Sequence, residues 1–212
     1  MGWMLRNDDR MIFYKNVLWQ RRAGVMEWKD GKRRCRWANP KNEAYIEYHD
    51  KEWGVPSYDD RYLFEMLVLE SFQAGLSWEC VLNKREAFRK AFDQFNVDKV
   101  RAYTEEDVER LKKNSGIIRN RLKIQAAIHN AAVFCSIQEE FQSFSDYIWH
   151  WTDGKAIYEQ GKCSSSLSDQ VTKDLKKRGM KFIGTKIIYS YLQAIGVIVS
   201  HEEGCFLEHC EC

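Results

Sequence analysis

The sequence contains very little proline and no long apolar run. Only two prolines occur among 212 residues, Pro40 and Pro56, and none follows them. Because proline removes a backbone donor and interrupts helices, this scarcity favours a mostly helical fold. No stretch reaches the roughly 18 apolar residues of a membrane span, so we expect no membrane partner. The formal net charge is only +2, so a nucleic-acid surface would need local clustering of basic residues.

The sequence also lacks a recognisable secretory signal. The apolar stretch MIFYKNVLW is interrupted by Lys15 and is not followed by a small-residue cleavage site. We therefore expect a cytoplasmic protein, in which most of the seven cysteines stay free of disulfides. Cysteines that cluster with histidines are then better interpreted as metal ligands.

Three parts are predicted along the chain. Residues 1–34 show no clean period and are expected to be a weakly ordered extension, and residues 206–212 are a C-terminal tail. Residues 35–205 carry helical periodicity and no alternating strand pattern. Helices are predicted to begin at Thr104 and near Ser168 because these residue types cap helix N-termini. The fold class is therefore all-α, with roughly seven or eight helices.

Two cysteines and two histidines form a candidate metal site. His201 and Cys205 lie close together near the end of the domain, and Cys35 and His49 are the pair in the N-terminal half that could complete them. Four such ligands make a closed tetrahedral zinc site with no position for water. One structural Zn²⁺ per chain would then close a loop of roughly 170 residues. Free cysteines and ordinary histidines are the alternative, and spacing alone leaves both open.

Glu70 is a charged residue on a helical stripe that should face the core. It follows Leu63 and Met66 at helical spacing. A buried carboxylate is costly unless something satisfies it, and a structural ion pair or helix cap is one explanation. The other is a carboxylate at the bottom of a ligand pocket, with Trp78 as an aromatic wall beside it.

A glycine-flanked turn between two predicted helices, GMKFIG, carries a local basic cluster. Gly184 would let the backbone approach a partner closely, and the amides that begin the next helix could bind phosphate. A solvated charged face is the alternative interpretation. The cluster with its single acid, Asp174, favours binding of a nucleic-acid backbone. Its basic members are Lys173, Lys176, Lys177, Arg178, Lys181 and Lys186.

Six segments together resemble the 3-methyladenine DNA glycosylase I family, which belongs to the helix-hairpin-helix DNA glycosylase superfamily. They are RCRWA, YHDKEWGVP, LFEMLVLESFQAGLSW, GIIRNRLKIQAAIHNA, KKRGMKFIGTKIIYSYLQAIG and HEEGC, and they span nearly all of residues 35–205. The resemblance implies a helix-hairpin-helix glycosylase fold in which a structural zinc joins the N- and C-terminal parts. The implied zinc ligands are Cys35, His49, His201 and Cys205.

The resemblance also implies an activity and its site. Enzymes of this kind flip a damaged nucleotide out of the stack, and this family hydrolyses the N-glycosidic bond of 3-methyladenine, which leaves an abasic site. The segment VIVSHEEGC contains no aspartate, so catalysis would depend on recognition and on the lability of the cationic nucleoside. The implied residues are Glu70 as the catalytic base-recognition carboxylate, Tyr48, Trp78, Trp53 and Trp37 for substrate binding, and Lys181, Gly184 and Lys186 for DNA binding.

The expected partner is alkylated double-stranded DNA, and we expect a monomer. Two alternatives remain at this stage. One is a related glycosylase that accepts other alkylated bases or adds a lyase step, which needs an amine nucleophile in the pocket. The other is a catalytically inactive, zinc-stapled DNA-binding module.

Overall fold

A computed structural model describes residue 28 and residues 30–208. Most of the predicted N-terminal extension and the end of the predicted tail therefore lie outside the described residues. The chain divides into a first unit, Met1–Gly31, and a second unit, Lys32–Cys212. Everything that follows concerns the second unit.

The second unit is mostly helical. Ten α-helices, one short 3₁₀-helix (Asp93–Phe95) and one pair of two-residue strands occur among the described residues. The strands β1 and β2 run parallel, with Ile157 opposite Ile198. In chain order the elements are α1 Glu43–Lys51, α2 Asp60–Gln73, α3 Trp78–Leu82, α4 Arg85–Ala91, α5 Val97–Arg101, α6 Glu105–Lys113, α7 Arg121–Phe141, α8 Phe144–His150, β1 Ile157–Tyr158, α9 Ser166–Lys177, α10 Thr185–Ala194 and β2 Ile198–Val199.

The prediction of a mostly helical fold is confirmed, but two details were wrong. The helices outnumber the seven or eight expected, and the strand pair was not expected. The helices α3, α4, α5 and α8 contain only five to seven residues each. Such segments are too short to establish a period of about 3.6 residues, and a two-residue strand has no alternation to detect.

Helix boundaries follow local capping. The backbone N–H of Thr104 donates to Asp107 Oδ2 at 3.0 Å, which closes a capping box at the start of α6 as predicted. At α9 the N-cap is Ser165 rather than Ser168. The hydroxyl of Ser168 instead accepts from the Ser165 N–H at 2.9 Å, so Ser168 is the N3 residue of a second capping box.

The helix α2 lies at the centre of the unit. Every residue from Leu63 to Phe72 is buried, so the helix is covered on all sides. It packs against α3, α7, α8 and α10. This burial places Glu70 inside the protein, on a helix whose direction is fixed by neighbours on every face. Within the range that the structure describes, no helix is long and apolar enough to cross a membrane.

Candidate active site and metal centre

A cavity of about 560 Å³ lies among α1, α2, α3, α10 and the segment after β2. It contains all five residues expected to recognise a base. Helix α1 contributes Tyr48, α2 contributes Glu70, and Trp78 is the first residue of α3. Trp37 and Trp53, which flank α1 in the chain, complete the aromatic part of the wall.

The aromatic rings form a continuous wall. The ring centroids of Tyr48 and Trp78 are 5.2 Å apart, and those of Trp37 and Trp53 are 4.9 Å apart. Trp37 joins the two pairs, because its centroid lies 6.5 Å from that of Tyr48. Planar aromatic faces held in this way can stack on a flat base and attract a positive charge.

Glu70 is buried in this wall without a partner. Its Oε2 atom makes no hydrogen bond among the described residues, and neither does the Nε1 atom of Trp78. The part of the chain that the structure describes contains no ion pair with Glu70, and neither a helix cap nor Tyr48 supplies a hydrogen bond to this oxygen. Burial alone raises the pKa of Glu70 to about 8. Burial thus favours the neutral form of this carboxyl group at pH 7.

This raised pKa predicts a specific pH dependence of stability. The unfolded pKa of a glutamate is about 4.3, so the stability of the wild-type protein should fall as pH rises from about 4.5 to 8, because the folded state binds the extra proton. Glu70→Gln removes this titration. The variant should gain up to about 4 kcal/mol relative to wild type across that window. Chemical denaturation at pH 5 and pH 9 measures the difference.

Glu106→Gln is the matched control, because Glu106 is exposed on α6. A substitution of an exposed side chain should change the free energy of unfolding by no more than about 0.5 kcal/mol at either pH. A constant difference between Glu70→Gln and wild type from pH 5 to pH 9 would show that Glu70 is already ionised in the folded protein.

The four predicted metal ligands meet beside the cavity. Cys35, His49, His201 and Cys205 are all buried, and their ligand atoms lie within 4.8 Å of one another. Cys205 Sγ is 3.6 Å from His49 Nε2 and 3.7 Å from His201 Nδ1. Burial lowers the pKa of His201 to about 4, which leaves the imidazole neutral, as metal binding requires. The group could therefore hold a metal ion.

The residues around this group orient it. Asp50 Oδ1 lies 2.8 Å from His49 Nδ1, and Arg34 Nε donates to the same oxygen at 2.7 Å. A carboxylate on the outer nitrogen of a histidine fixes the tautomer that presents the inner nitrogen to a metal. Arg34 and Asp50 lie within the segments RCRWA and YHDKEWGVP, but the sequence analysis assigned neither of them a role.

The metal group and the cavity share their aromatic wall. The ring of Trp37 lies 5.1 Å from that of His49, and the ring of Trp53 lies 4.8 Å from that of His201. Both tryptophans also line the cavity. The packing of the ligand set therefore fixes one side of the pocket.

The basic turn joins α9 to α10 next to the cavity. Gly179 has φ of +103°, which reverses the chain at the end of α9. A Cβ atom added at Gly184 would meet nothing within 4 Å, so this side of the turn is open to a partner. Helix α10 begins at the turn, and its Ser190 and Gln193 line the cavity. The start of α10 at the turn and these two cavity residues are therefore about 8–12 Å apart along the helix axis, at a rise of about 1.5 Å per residue.

Not all of the predicted basic cluster is free to bind. Arg178 pairs with Asp174 at 2.6 Å and with Glu140 of α7 at 2.6 Å. The sequence showed Asp174 as the single nearby acid, but the fold adds Glu140 from a distant segment. The lysines remain exposed, including Lys181 and Lys186.

Comparison with known proteins decides the family. The sequence model of the methyladenine glycosylase family matches residues 37–208. The chain belongs to the methyladenine glycosylase family. The resemblance inferred from the six segments is thereby confirmed.

Relatives of known name cover most of this chain. DNA-3-methyladenine glycosylase 1 of Escherichia coli K12 is 47% identical over 178 residues, which cover 81% of this chain and 95% of the relative. DNA-3-methyladenine glycosylase of Haemophilus influenzae is 39% identical over 81% of this chain and 96% of the relative. A crystal structure of a 3-methyladenine DNA glycosylase I superposes with a TM-score of 0.78 at 48% identity, over 82% of this chain and 98% of that one.

Several residues that line the cavity were not anticipated. Tyr45 lies three residues before Tyr48 on α1, and Gln73 lies three residues after Glu70 on α2. Residues at this spacing share a helix face, so each could have been found from its neighbour. Ser190 and Gln193 are also three residues apart, on α10, but no cavity residue on that helix was predicted from which to find them. The remaining wall residues come from other parts of the chain and reach the cavity through tertiary packing. They are Arg36, Gln160, Gly161, Lys162, Ser200, Glu202 and Glu203.

Proposed function

We propose that this protein removes 3-methyladenine from DNA by hydrolysing its N-glycosidic bond. The observation that carries the proposal is the buried Glu70 carboxyl in an aromatic cavity, whose Oε2 atom has no hydrogen bond among the described residues. The E. coli and H. influenzae relatives are named for this activity. A Staphylococcus aureus structure described as the basis of 3-methyladenine recognition has a TM-score of 0.78 at 35% identity, over 81% of this chain and 95% of that one.

The cavity suits a cationic base. In DNA, 3-methyladenine carries a positive charge, which aromatic faces such as those of Trp78 and Tyr48 attract by about 0.5–2 kcal/mol. The same charge favours ionisation of Glu70, whose pKa the empty pocket raises to about 8. The carboxylate then accepts charge-assisted hydrogen bonds from donors on the base. Ordinary adenine lacks the charge and leaves Glu70 neutral, so the pocket would hold it less well.

The chemical step uses a good leaving group. Once the nucleotide is flipped into the pocket, water attacks the sugar carbon and the bond from that carbon to the base nitrogen breaks. The electron pair of that bond neutralises the departing base, and the attacking water loses its proton to solvent as it becomes the sugar hydroxyl. An abasic site remains. The segment from Val197 to Cys205, which follows α10, contains no aspartate. Its two carboxylates are Glu202, which accepts hydrogen bonds from Arg36, and Glu203, and both line the cavity. In this proposal, recognition of the cation supplies most of the selectivity for the damaged base.

A helix-hairpin-helix element would hold the DNA. The turn between α9 and α10 has an open side at Gly184, and the side chains of Lys181 and Lys186 are exposed around it. Backbone amides at the start of a helix and nearby lysines are suited to a phosphodiester backbone. Alkylated double-stranded DNA, bound by a single copy of the protein, is the proposed partner.

The metal centre would hold one structural zinc. A tetrahedral zinc, about 2.3 Å from sulfur and about 2.0 Å from nitrogen, has sulfur–nitrogen edges of about 3.5 Å. Three of the four sulfur–nitrogen distances are 3.6, 3.6 and 3.7 Å, which is close to this value. Two thiolates and two imidazoles are also a preferred zinc donor set. The metal would supply folding energy and hold the ends of the domain together, since all four positions are taken by protein.

Release of bases from methylated DNA tests the activity. Duplex DNA treated with a methylating agent is incubated with the protein, and the released bases are separated by chromatography. We expect 3-methyladenine in the soluble fraction and a matching number of abasic sites. Release of another alkylated base alone would favour the related-glycosylase alternative, and no release would favour the inactive binding module. Borohydride trapping of a covalent DNA adduct would reveal a lyase step.

Changes in the turn should weaken DNA binding without changing base choice. Lys181→Ala or Lys186→Ala removes one exposed cation beside the turn. Each should lower affinity for any duplex about equally and reduce the slope of log affinity against log salt by up to about one unit. Binding titrations at several salt concentrations measure both quantities.

Lys90→Ala is the matched control for these variants, because Lys90 is an exposed lysine on α4. It should leave affinity and salt slope unchanged. A turn variant that altered which base is released would assign the turn to recognition instead of positioning.

A further inference from the structure

Helix α7 carries two buried polar side chains that contact both functional segments. Lys123 is 8% exposed and Asn130 is 2% exposed. Neither belongs to the cavity wall, and neither makes an ion pair among the described residues. Each instead bonds to backbone atoms of a distant part of the chain.

Lys123 fixes the end of α2. Its ammonium Nζ donates to the carbonyl oxygens of Phe72 at 2.9 Å and Ala74 at 2.7 Å. The last carbonyls of a helix have no partner within the helix, so Lys123 caps α2 from a neighbouring helix. These carbonyls lie in the short stretch between Glu70 and Trp78. The capping contact therefore sets the direction in which the chain leaves one wall of the cavity to form the next.

Asn130 fixes the turn between α9 and α10. Its amide Nδ2 donates to the Lys181 carbonyl at 2.9 Å, and its Oδ1 accepts from the Lys181 N–H at 2.8 Å. One side chain thus satisfies both polar groups of a single residue of the turn. His129 Nε2 lies 2.9 Å from the Gly179 carbonyl oxygen and adds a second contact to the same turn.

The two attachment points lie on one face of one rigid helix. Residues seven positions apart in an α-helix are about 10.5 Å apart along the axis and share a face to within about 20°. We infer that Lys123 and Asn130 are positioning residues, which together hold the cavity-lining end of α2 and the DNA-binding turn at a fixed separation. A nucleotide flipped from a duplex held at the turn then reaches Glu70.

This role rests on the proposed function and concerns the rate of reaction more than stability. Catalysis depends on the alignment of bound groups, and a displacement of about 1 Å far from the reacting bond can cost about a hundredfold in rate. If both attachments are needed to fix the separation between the end of α2 and the turn, loss of either one should let that separation vary and slow the reaction. Loss of the second attachment should then slow the reaction little further.

A double-mutant cycle tests this dependence. Lys123→Met and Asn130→Ala should each slow single-turnover release of 3-methyladenine from duplex DNA by about tenfold, the double variant remaining within about threefold of the slower single. Independent contributions would multiply to about a hundredfold. The losses in melting temperature should instead add, because sites this far apart contribute independently to stability.

Two further measurements separate positioning from damage to either segment. Asn130→Ala should bind free 3-methyladenine as wild type does, measured by tryptophan fluorescence. Gln125→Ala, an exposed change on α7, should leave both free-base binding and single-turnover release unchanged. A multiplicative double variant, wild-type release by both singles, or an equal loss of free-base binding and release in Asn130→Ala would overturn the inference. Lys123→Leu and Asn130→Asp replace any variant whose circular dichroism shows it unfolded, with the same cycle and the same criteria.

The proposed function is tested separately within this experiment. Lys181→Ala should weaken binding to unmodified duplex, which establishes the turn as the DNA-binding element. If Lys181→Ala binds duplex as wild type does, the proposed role of the turn is wrong, whatever the cycle shows. If Lys181→Ala weakens binding but the cycle is multiplicative, only the positioning role fails.

Discussion

Replacing Cys205 with serine is expected to abolish stoichiometric metal binding and to lower the free energy of unfolding by on the order of several kcal/mol. Cys205 Sγ lies within 3.7 Å of both histidine ligands, so its loss opens the centre of the ligand set. A structural zinc site contributes its binding energy to folding, because the unfolded chain does not hold the four ligands together. The metal site also joins residues that are far apart in the sequence. Closing such a long loop is expected to increase its contribution to stability.

Metal analysis and thermal denaturation check this expectation. The wild-type protein should contain one zinc per chain, and the variant substantially less with a lower melting temperature. Cys163→Ser is the matched control, because Cys163 is exposed and lies outside the ligand set. The assignment is wrong if Cys205→Ser retains wild-type metal content and melting temperature.

Loss of the metal should also affect the cavity. Trp53 packs against His201 at 4.8 Å and lines the pocket on its other side. A loosened ligand set therefore removes support from the aromatic wall before the whole domain unfolds. Free 3-methyladenine should quench tryptophan fluorescence less in the metal-free wild-type protein than in the metal-bound protein.

The four metal ligands could be proposed from the sequence but not paired by spacing. Cys35 and Cys205 stand at opposite ends of the domain, and no local pattern says that they meet. The family resemblance supplied the pairing, and the structure places their ligand atoms within 4.8 Å. By contrast, the sequence does not show that Asp50 contacts His49 or that Arg34 donates to Asp50, because these contacts depend on the folded position of His49.

Glu70 shows the same limit in another form. Helical spacing was enough to predict that its side chain is buried, because the stripe that contains it is apolar. Whether a buried carboxyl has a partner depends on side chains from other helices, which the spacing does not contain. The sequence left an ion pair open, and the structure leaves Oε2 without a hydrogen bond among the described residues. Arg178 shows the opposite outcome. The sequence showed one nearby acid, Asp174, and the structure adds a second partner, Glu140 of α7.

Short elements and long-range polar contacts were missed for a common reason. Helices of five to seven residues are set by their neighbours more than by their own period. Likewise, Lys123 and Asn130 lie on the long helix α7, yet their backbone partners are about 50 residues away in the sequence, as the fold alone determines.

Glu70→Gln is expected to slow excision of 3-methyladenine by roughly ten- to a hundred-and-fifty-fold. The substitution preserves the shape of the side chain but removes the negative charge and replaces one acceptor with a donor. A charge-assisted hydrogen bond at a buried site is worth about 1.5–3 kcal/mol, which gives this range if the bond is made in the transition state. Because Glu70 is 4% exposed and shielded from solvent, water cannot readily replace the lost contact.

Single-turnover release from methylated duplex measures this loss. Binding to an unmodified duplex should stay near wild type, since Glu70 lies in the cavity and away from the open side of the turn. Glu106→Gln, on the exposed face of α6, should leave both measurements unchanged. Because the variant cannot ionise, its excision rate should also lose any pH dependence that the wild-type carboxyl supplies. Excision at the wild-type rate by Glu70→Gln would make this carboxyl a structural group, and recognition of the cation would then have to come from the aromatic wall alone.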